Sequence, residues 1–243
     1  MNPVCVSTWS GIGQKHFASF LATAEKQGIQ PQNADDNFWP GTDWSNKEWF
    51  RKSEAQARFV RKNIDRYTHF MFTDSYDIVF AAGWDEILGK FEKIGSPIVF
   101  GAECCPWPKA EQAGLYPATP HRCRYLNAGF WMGKGPAVMR LLEEVEAVAA
   151  RREQCDQGIV VDAFLAKRHP IALDNTCSIC FCCNLDSLDH LDLSGDRPRT
   201  RDTSEQPCLF HGNGNSPLIN VIVALDRIPC WTPTQEETER MTQ

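Results

Sequence analysis

The chain has 243 residues, 42% hydrophobic and 23% charged, with 31 acidic and 25 basic side chains and a formal net charge of −6. That balance excludes wholesale disorder, and the acidic sign excludes a general nucleic-acid coat while leaving room for a local basic groove. The length suits one sizeable α/β domain or two small ones, and no apolar run reaches the roughly 18 residues of a membrane span.

The first six residues, Met1 to Val6, lack a basic stretch followed by an apolar one and a cleavage site. They read as a core strand rather than a secretion signal. The eleven cysteines are odd in number and irregularly spaced, with Cys104-Cys105 adjacent and Cys177, Cys180, Cys182 and Cys183 crowded together. Without a signal peptide they are expected as reduced thiols, which places the chain in the cytoplasm.

Val4 to Thr8 reads as a strand, followed by Gly11, Gly13 and a helix carrying Phe17, Phe20, Leu21 and Ala24 at helical spacing. Gln30 to Asn46 is polar and aromatic and reads as a long loop, which is often functional in a compact domain. A helix over Glu48 to Ile64 buries Phe50, Ala57, Val60 and Ile64 and leads into an apolar strand, His69 to Thr73. Trp84 to Ile94 is a helix and Pro97 to Ala102 a strand. Past a Pro-rich stretch, Cys104 to Arg124, a strand runs from Tyr125 to Met132 and a helix opens at Gly135-Pro136. Gln157 to Ala166 is a further helix. Ile171 to Leu173 and the cysteine-rich segment read as paired short strands, and Asp189 to Gln206 as a surface loop. Phe210 to Gly214 reads as a turn after a short strand. The alternation of strands and helices predicts a mostly parallel sheet covered by helices.

The apolar strand ends in Asp74-Ser75-Tyr76-Asp77. Two carboxylates at the rim of an α/β sheet suit Mg²⁺ or Mn²⁺ bridging nucleotide phosphates, although Asp after a strand is also common turn chemistry. Far downstream, His211-Gly212-Asn213-Gly214 offers an imidazole to a metal and glycine amides to a phosphate, or is simply a turn. Asp156 is either a helix N-cap or a carboxylate beside the anomeric carbon of a sugar. Trp107 is a sugar platform or a core aromatic. Trp44 stacks on a base or pins its loop.

These pieces resemble, in order and spacing, the glycosyltransferase domain of the procollagen lysyl hydroxylases and related viral and bacterial sugar transferases. The matching stretches are Phe72 to Phe80, Val99 to Glu103, Trp107-Pro108, Tyr116-Pro117, Tyr125 to Phe130, Cys155-Asp156-Gln157, Leu173-Asp174 and His211 to Gly214, within about residues 3 to 230. The resemblance implies a single GT-A domain over 1–230, its nucleotide-binding half about 1–103 and its acceptor and metal half about 104–230, with 231–243 as a tail. It implies Mn²⁺ or Mg²⁺ on Asp74, Asp77 and His211, gripping the diphosphate of a UDP-sugar. Val6, Thr8, Trp44, Asp74, Ser75, Gln157, Gly212 and Gly214 would hold the nucleotide sugar, with Asp156, Trp107 and Asn127 in the catalytic region.

Two departures stand out. The family's acidic run is reduced to Glu153-Gln154-Cys155-Asp156, and its lysine-bearing stretch is not cleanly present, so the cation toward the diphosphate is either Lys52 or Arg58. The expected reaction moves glucose or galactose from the UDP-sugar to a hydroxyl on protein or glycan. A hydroxymethylated pyrimidine in DNA is the alternative acceptor, with Arg122, Arg124, Lys134, Arg151, Arg152, Arg197, Arg199 and Arg201 available for a basic groove. Two non-enzymatic alternatives are a binding module that retains the fold and a zinc-stabilised module built on Cys177 to Cys183. On a strand, Cys180 and Cys182 would face one way and Cys177 and Cys183 the other, a poor zinc spacing.

Overall fold

A computed structural model describes residues 1–9, 17–34, 49–151, 154–184 and 187–214. Gly11, Gly13, Trp44, the long loop beyond residue 34, Arg152, Glu153 and the 231–243 tail lie outside the described residues. In chain order the elements are β1 (Pro3–Ser7), α1 (Phe17–Lys26), β2 (Gln32–Asn33), α2 (Trp49–Asn63), β3 (His69–Thr73) and β4 (Ile78–Phe80). Then follow α3 (Trp84–Ile94), β5 (Ile98–Glu103), β6 (Tyr125–Lys134), α4 (Gly135–Ala149) and α5 (Asp156–Leu165). The chain continues through β7 (Ile171–Leu173), β8 (Cys180–Cys182), β9 (Leu191–Asp192), β10 (Arg199–Thr200) and β11 (Leu209–His211).

Nine strands form one sheet in the order β2-β1-β3-β6-β5-β8-β11-β4, with β7 also on β5. Pairing is parallel except where β6 meets β3 and β5 and where β4 meets β11. The sheet is therefore mixed and mostly parallel. It must also curl. Five strand spacings separate β3 from β4 and would span about 24 Å if flat, yet the five peptide steps from Thr73 to Ile78 reach at most about 17 Å. Curling brings the ends of β3 and β4 together, which places Asp74 and Asp77 beside each other.

Both faces of the sheet are covered, so alternate residues of one strand enter different cores. Val4, Val6, Phe70, Phe72, Ile98 and Phe100 pack under α2, α4 and α5. Cys5, Met71 and Val99 pack on the other face with Phe20 of α1 and Phe91 of α3. Helix ends follow ordinary rules: Pro136 sits in the first turn of α4, and Gly95 closes α3 in the left-handed conformation at φ 75°, its N–H donating to Phe91 O.

Several readings shift. The strand β4 was hidden in the tail of the acidic motif because three residues carry no periodicity. The segments β7 and β8 do not pair with each other; both add in parallel to β5, at Ile98–Phe100 and at Ala102 respectively. The buried Asp174 carboxylate separates them by accepting from Ser178 N and Oγ, Ile179 N and Cys180 N. The 189–206 loop contains a two-stranded ribbon of β9 and β10.

The cysteine alternation holds, with Cys180 in one core and Cys177 and Cys183 in another. Ten cysteines of the described residues are unpaired thiols. Among the described residues they form no metal-binding cluster. No helix of the described residues is long and apolar enough to cross a membrane.

Candidate active site

The carboxyl ends of β1, β3, β5, β8 and β11 meet at one rim, where an open α/β sheet places its ligands. Antiparallel β6 begins there, with Phe130 opposite Thr73 and Tyr125 opposite Glu103. Asp74 follows β3 and Asp77 precedes β4, whose first residue, Ile78, is in register with His211 of β11. His211 Nε2 lies 3.3 Å from Asp77 Oδ2 and 3.6 Å from Asp74 Oδ2. One ligand atom from each of the three falls within 4.8 Å of the others.

Two oxygens and an imidazole nitrogen converging in this way suit a divalent cation. Gly129 keeps the space open. A Cβ there would stand 2.1 Å from His211 Cε1 and 2.8 Å from Asp74 Oδ2, filling the gap between the ligands. The three residues and the glycine opposite therefore fit a metal. Gly129→Ala is expected to cost about 1–3 kcal/mol of stability through overpacking and to weaken Mn²⁺ at least tenfold, by the scale of outer-shell changes. Melting curves with and without Mn²⁺ check this; an unaltered Mn²⁺-dependent rise in Tm would contradict it.

The opposite wall is a cation. Lys52, on α2, is 9% exposed, with Nζ 2.7 Å from Asp74 Oδ1 and 3.4 Å from Asp156 Oδ2. It also lies over the Phe72 ring. Arg58 is exposed on another face of the helix, so of the two it is Lys52 that faces Asp74 and Asp156. Burial would depress the Lys52 ammonium, but Asp74 and Asp156 outweigh it and hold the group charged, above its usual range. Burial, and then the Asp77 charge, raise the Asp74 carboxyl against the pull of Lys52 and His211. Burial likewise opposes the His211 imidazolium, yet Asp77 and Cys182 keep it well above the ordinary imidazole value.

Asp156 is not the N-cap of α5. That role belongs to Cys155, whose Sγ accepts from Gly158 N at 3.4 Å. A thiol is an unusual cap, which is why sequence rules favoured the aspartate. The Asp156 carboxylate is free to face Lys52 instead.

The remaining expected residues differ in what their polar groups touch. The Gln157 amide donates to Glu103 Oε1, Trp107 O and Leu126 O and accepts from Ala128 N. Asn127 donates to Glu103 Oε1 and accepts from Gly129 N, which fixes the glycine against the metal ligands. The Gly212 N–H, expected to face phosphate, is committed to Asp77 O, so its use is to pin Asp77 beside His211. Gly214 is exposed at φ 69°, a backbone that favours glycine. Val6 points its side chain into the core. The Thr8 carbonyl accepts from Ser75 Oγ at 2.8 Å, tying the rim of β1 to the acidic turn. Trp107 is 53% exposed; its carbonyl accepts from the Gln157 amide and its backbone N–H donates to Cys105 O.

Glu103 was quoted in the sequence motif without a role. It is 4% exposed and accepts from Asn127, Gln157 and Asn213 side-chain amides at 3.1, 3.0 and 2.8 Å. Burial raises its carboxyl despite those three bonds. An acid directly after the apolar run Ile98 to Ala102 was the available signal. The Asn213 Oδ1 is buried without a partner among the described residues.

A curled mixed sheet with Asp-x-x-Asp and a histidine at its carboxyl rim defines a GT-A glycosyltransferase. The fold is shared with the crystal structure of a glycosyltransferase involved in the glycosylation of the major capsid of PBCV-1, at TM-score 0.57 and 12% identity, covering 93% of this chain and 100% of that one. Residues 5–226 match the PLOD GT domain, and the chain belongs to that family. It is 31% identical over 217 residues to procollagen-lysine,2-oxoglutarate 5-dioxygenase 1 of Bos taurus, covering 82% of this chain and 30% of the relative. It is 29% identical over 223 residues to the multifunctional procollagen lysine hydroxylase and glycosyltransferase LH3 of Rattus norvegicus, covering 82% and 29%. The chain thus spans less than a third of the length of these relatives.

Proposed function

We propose that this domain transfers a hexose, glucose or galactose, from a UDP-sugar to a hydroxyl acceptor with the help of Mn²⁺. The observation that carries the reading is the row Asp77, His211, Asp74, Lys52, Asp156, in which three candidate metal ligands adjoin a buried lysine and a further carboxylate. When bound, the metal supplies Lewis-acid stabilisation of the departing diphosphate.

Lys52 adds a fixed positive charge that favours the same developing anion, and its burial makes that charge effective. Asp156, paired with Lys52 at 3.4 Å, is in this reading the carboxylate that stabilises positive charge at the anomeric carbon. The Glu103 cluster holds the start of β6, the Trp107 loop and α5 in one arrangement, so the reacting groups are placed before substrate arrives. Trp107 offers an exposed aromatic face for the donor sugar.

The test is a donor screen. UDP-glucose, UDP-galactose and GDP-mannose are incubated with Mn²⁺, Mg²⁺ or chelator, and release of the nucleoside diphosphate is measured. One UDP-hexose is expected to react at least tenfold faster with Mn²⁺ than with chelator. Absence of UDP binding by calorimetry, with or without Mn²⁺, overturns the reading.

A further inference from the structure

The His211 ring has two nitrogens, and the candidate cation uses one of them. Nε2 faces Asp77 and Asp74, while Nδ1 has Cys182 Sγ as its partner at 4.0 Å. The fold fixes that neighbour. Strands β8 and β11 pair in parallel with Cys182 beside His211, and Cys183 N donates to His211 O at 2.7 Å. Residues paired in this way share a face of the sheet, and the preceding pair, Phe181 and Phe210, packs in the core on the other face. A one-residue slip of β8 would bring Phe181 or Cys183 to the imidazole instead. Cys182 is 2% exposed and His211 3%.

An imidazole that ligates a metal through one nitrogen carries its proton on the other, and that N–H is ordinarily given to a carboxylate, a carbonyl or water. Here the group at Nδ1 is a thiol. A thiol buried in this way keeps its own proton, and its sulfur remains a weak acceptor. The ring has one alternative placement on the same axis. Half a turn about its bond to Cβ would present carbon to both neighbours, Cδ2 to Cys182 and Cε1 to the two aspartates.

We propose that Cys182 is a positioning residue for the metal site: its sulfur accepts from His211 Nδ1–H, which keeps Nε2 unprotonated and turned toward Asp74 and Asp77. This role rests on the metal reading of those three residues, and it falls to a side chain outside both the Asp-x-x-Asp and the His-Gly-Asn-Gly motifs.

The test is the order of two variants. Mn²⁺ binding to the parent, Cys182→Val and Cys182→Ser is measured by calorimetry at pH 8, with melting curves of each in the absence of metal. Valine suits a buried strand and fills the place of the thiol without offering an acceptor. Cys182→Val is therefore expected to melt near the parent and to bind Mn²⁺ about tenfold more weakly, the lower end of outer-shell effects. Serine packs less well, but its hydroxyl accepts from the same N–H. Cys182→Ser is expected to melt lower and yet to bind Mn²⁺ more tightly than Cys182→Val. A merely structural thiol gives the opposite order, with valine the better replacement in both measurements. If Cys182→Val does not fold, Cys182→Ala takes its place with the same expected deficit against serine. Valine binding Mn²⁺ as tightly as the parent, or serine binding it more weakly than valine, overturns this role alone. A parent that binds no Mn²⁺ overturns the metal reading and this role together.

Discussion

A chain carrying Asp74→Asn and Asp77→Asn is expected to bind Mn²⁺ more than about 100-fold more weakly, beyond the range of outer-shell substitutions. Mn²⁺-dependent release of UDP is expected to vanish with it. Both negative charges of the three converging ligands would be gone, and two neutral amide oxygens with one imidazole hold a hard cation far less well than two carboxylates do. The same site predicts a pH dependence. The folded His211 value stands well above the ordinary one, because Asp77 and Cys182 overcome the cost of burial. A raised value means the imidazolium stabilises the metal-free fold fully below the unfolded value of about 6.5, and that this stabilisation is lost as pH climbs through the raised value. The cation needs the neutral ring, so its affinity runs the other way, rising with pH while a proton is released. Calorimetry of Mn²⁺ binding in two buffers of different ionisation enthalpy measures that proton. The Mn²⁺-dependent rise in Tm should also be larger at pH 8 than at pH 6. Heats independent of the buffer would contradict the arrangement.

Where sequence reading succeeded, the signal was local and periodic. The helix Trp84–Ile94 was legible to the residue because Ile87, Leu88 and Phe91 share a buried face and a glycine ends it. The Asp-x-x-Asp motif and His211 were legible because the first follows a short apolar strand and the second ends one. What periodicity could not show was the curl of the sheet, which depends on β4 pairing with β11 across more than a hundred intervening residues. Without the curl, Asp74 and Asp77 are two acids in a turn. The choice between Lys52 and Arg58 was also closed to sequence, since both lie on one helix and only packing against β3 and α5 selects the inward face. Gln157, Asn127 and Gly212 were recognised as belonging to the site, yet their bonds point at Glu103, Gly129 and Asp77. A motif records which residues are needed and not whether they touch the ligand or hold those that do.

Lys52→Met is expected to be among the most disruptive single substitutions. The methionine side chain fills similar space, so the packing over Phe72 is retained and the loss is that of charge. Removing the ammonium takes away the cation shared by the Asp74 and Asp156 carboxylates, whose side chains are 32% and 16% exposed, and leaves His211 as the positive group beside Asp74. Breaking a buried pair in this way costs about 3–5 kcal/mol, and the partial exposure of Asp74 brings the expectation to the lower end, about 3 kcal/mol. For a chain of this size that is a fall in Tm of about 6–12 °C. The sign with pH separates charge loss from packing loss. Asp74 is already raised by burial and by Asp77, and without Lys52 it rises further. A carboxyl raised in the fold favours folding when protonated and loses that advantage as pH rises through its folded value. The deficit of Lys52→Met should therefore shrink on acidification toward pH 5 and be full at pH 8, whereas a packing defect would be the same at both. Adding Asp156→Asn should recover part of the loss, since one of the two stranded charges is gone, with a coupling of about 0.5–3 kcal/mol. A variant that melts within a degree of the parent at pH 8 would show that Lys52 does not hold these carboxylates. The site would then lack the cation that sets Asp156 apart from the metal ligands.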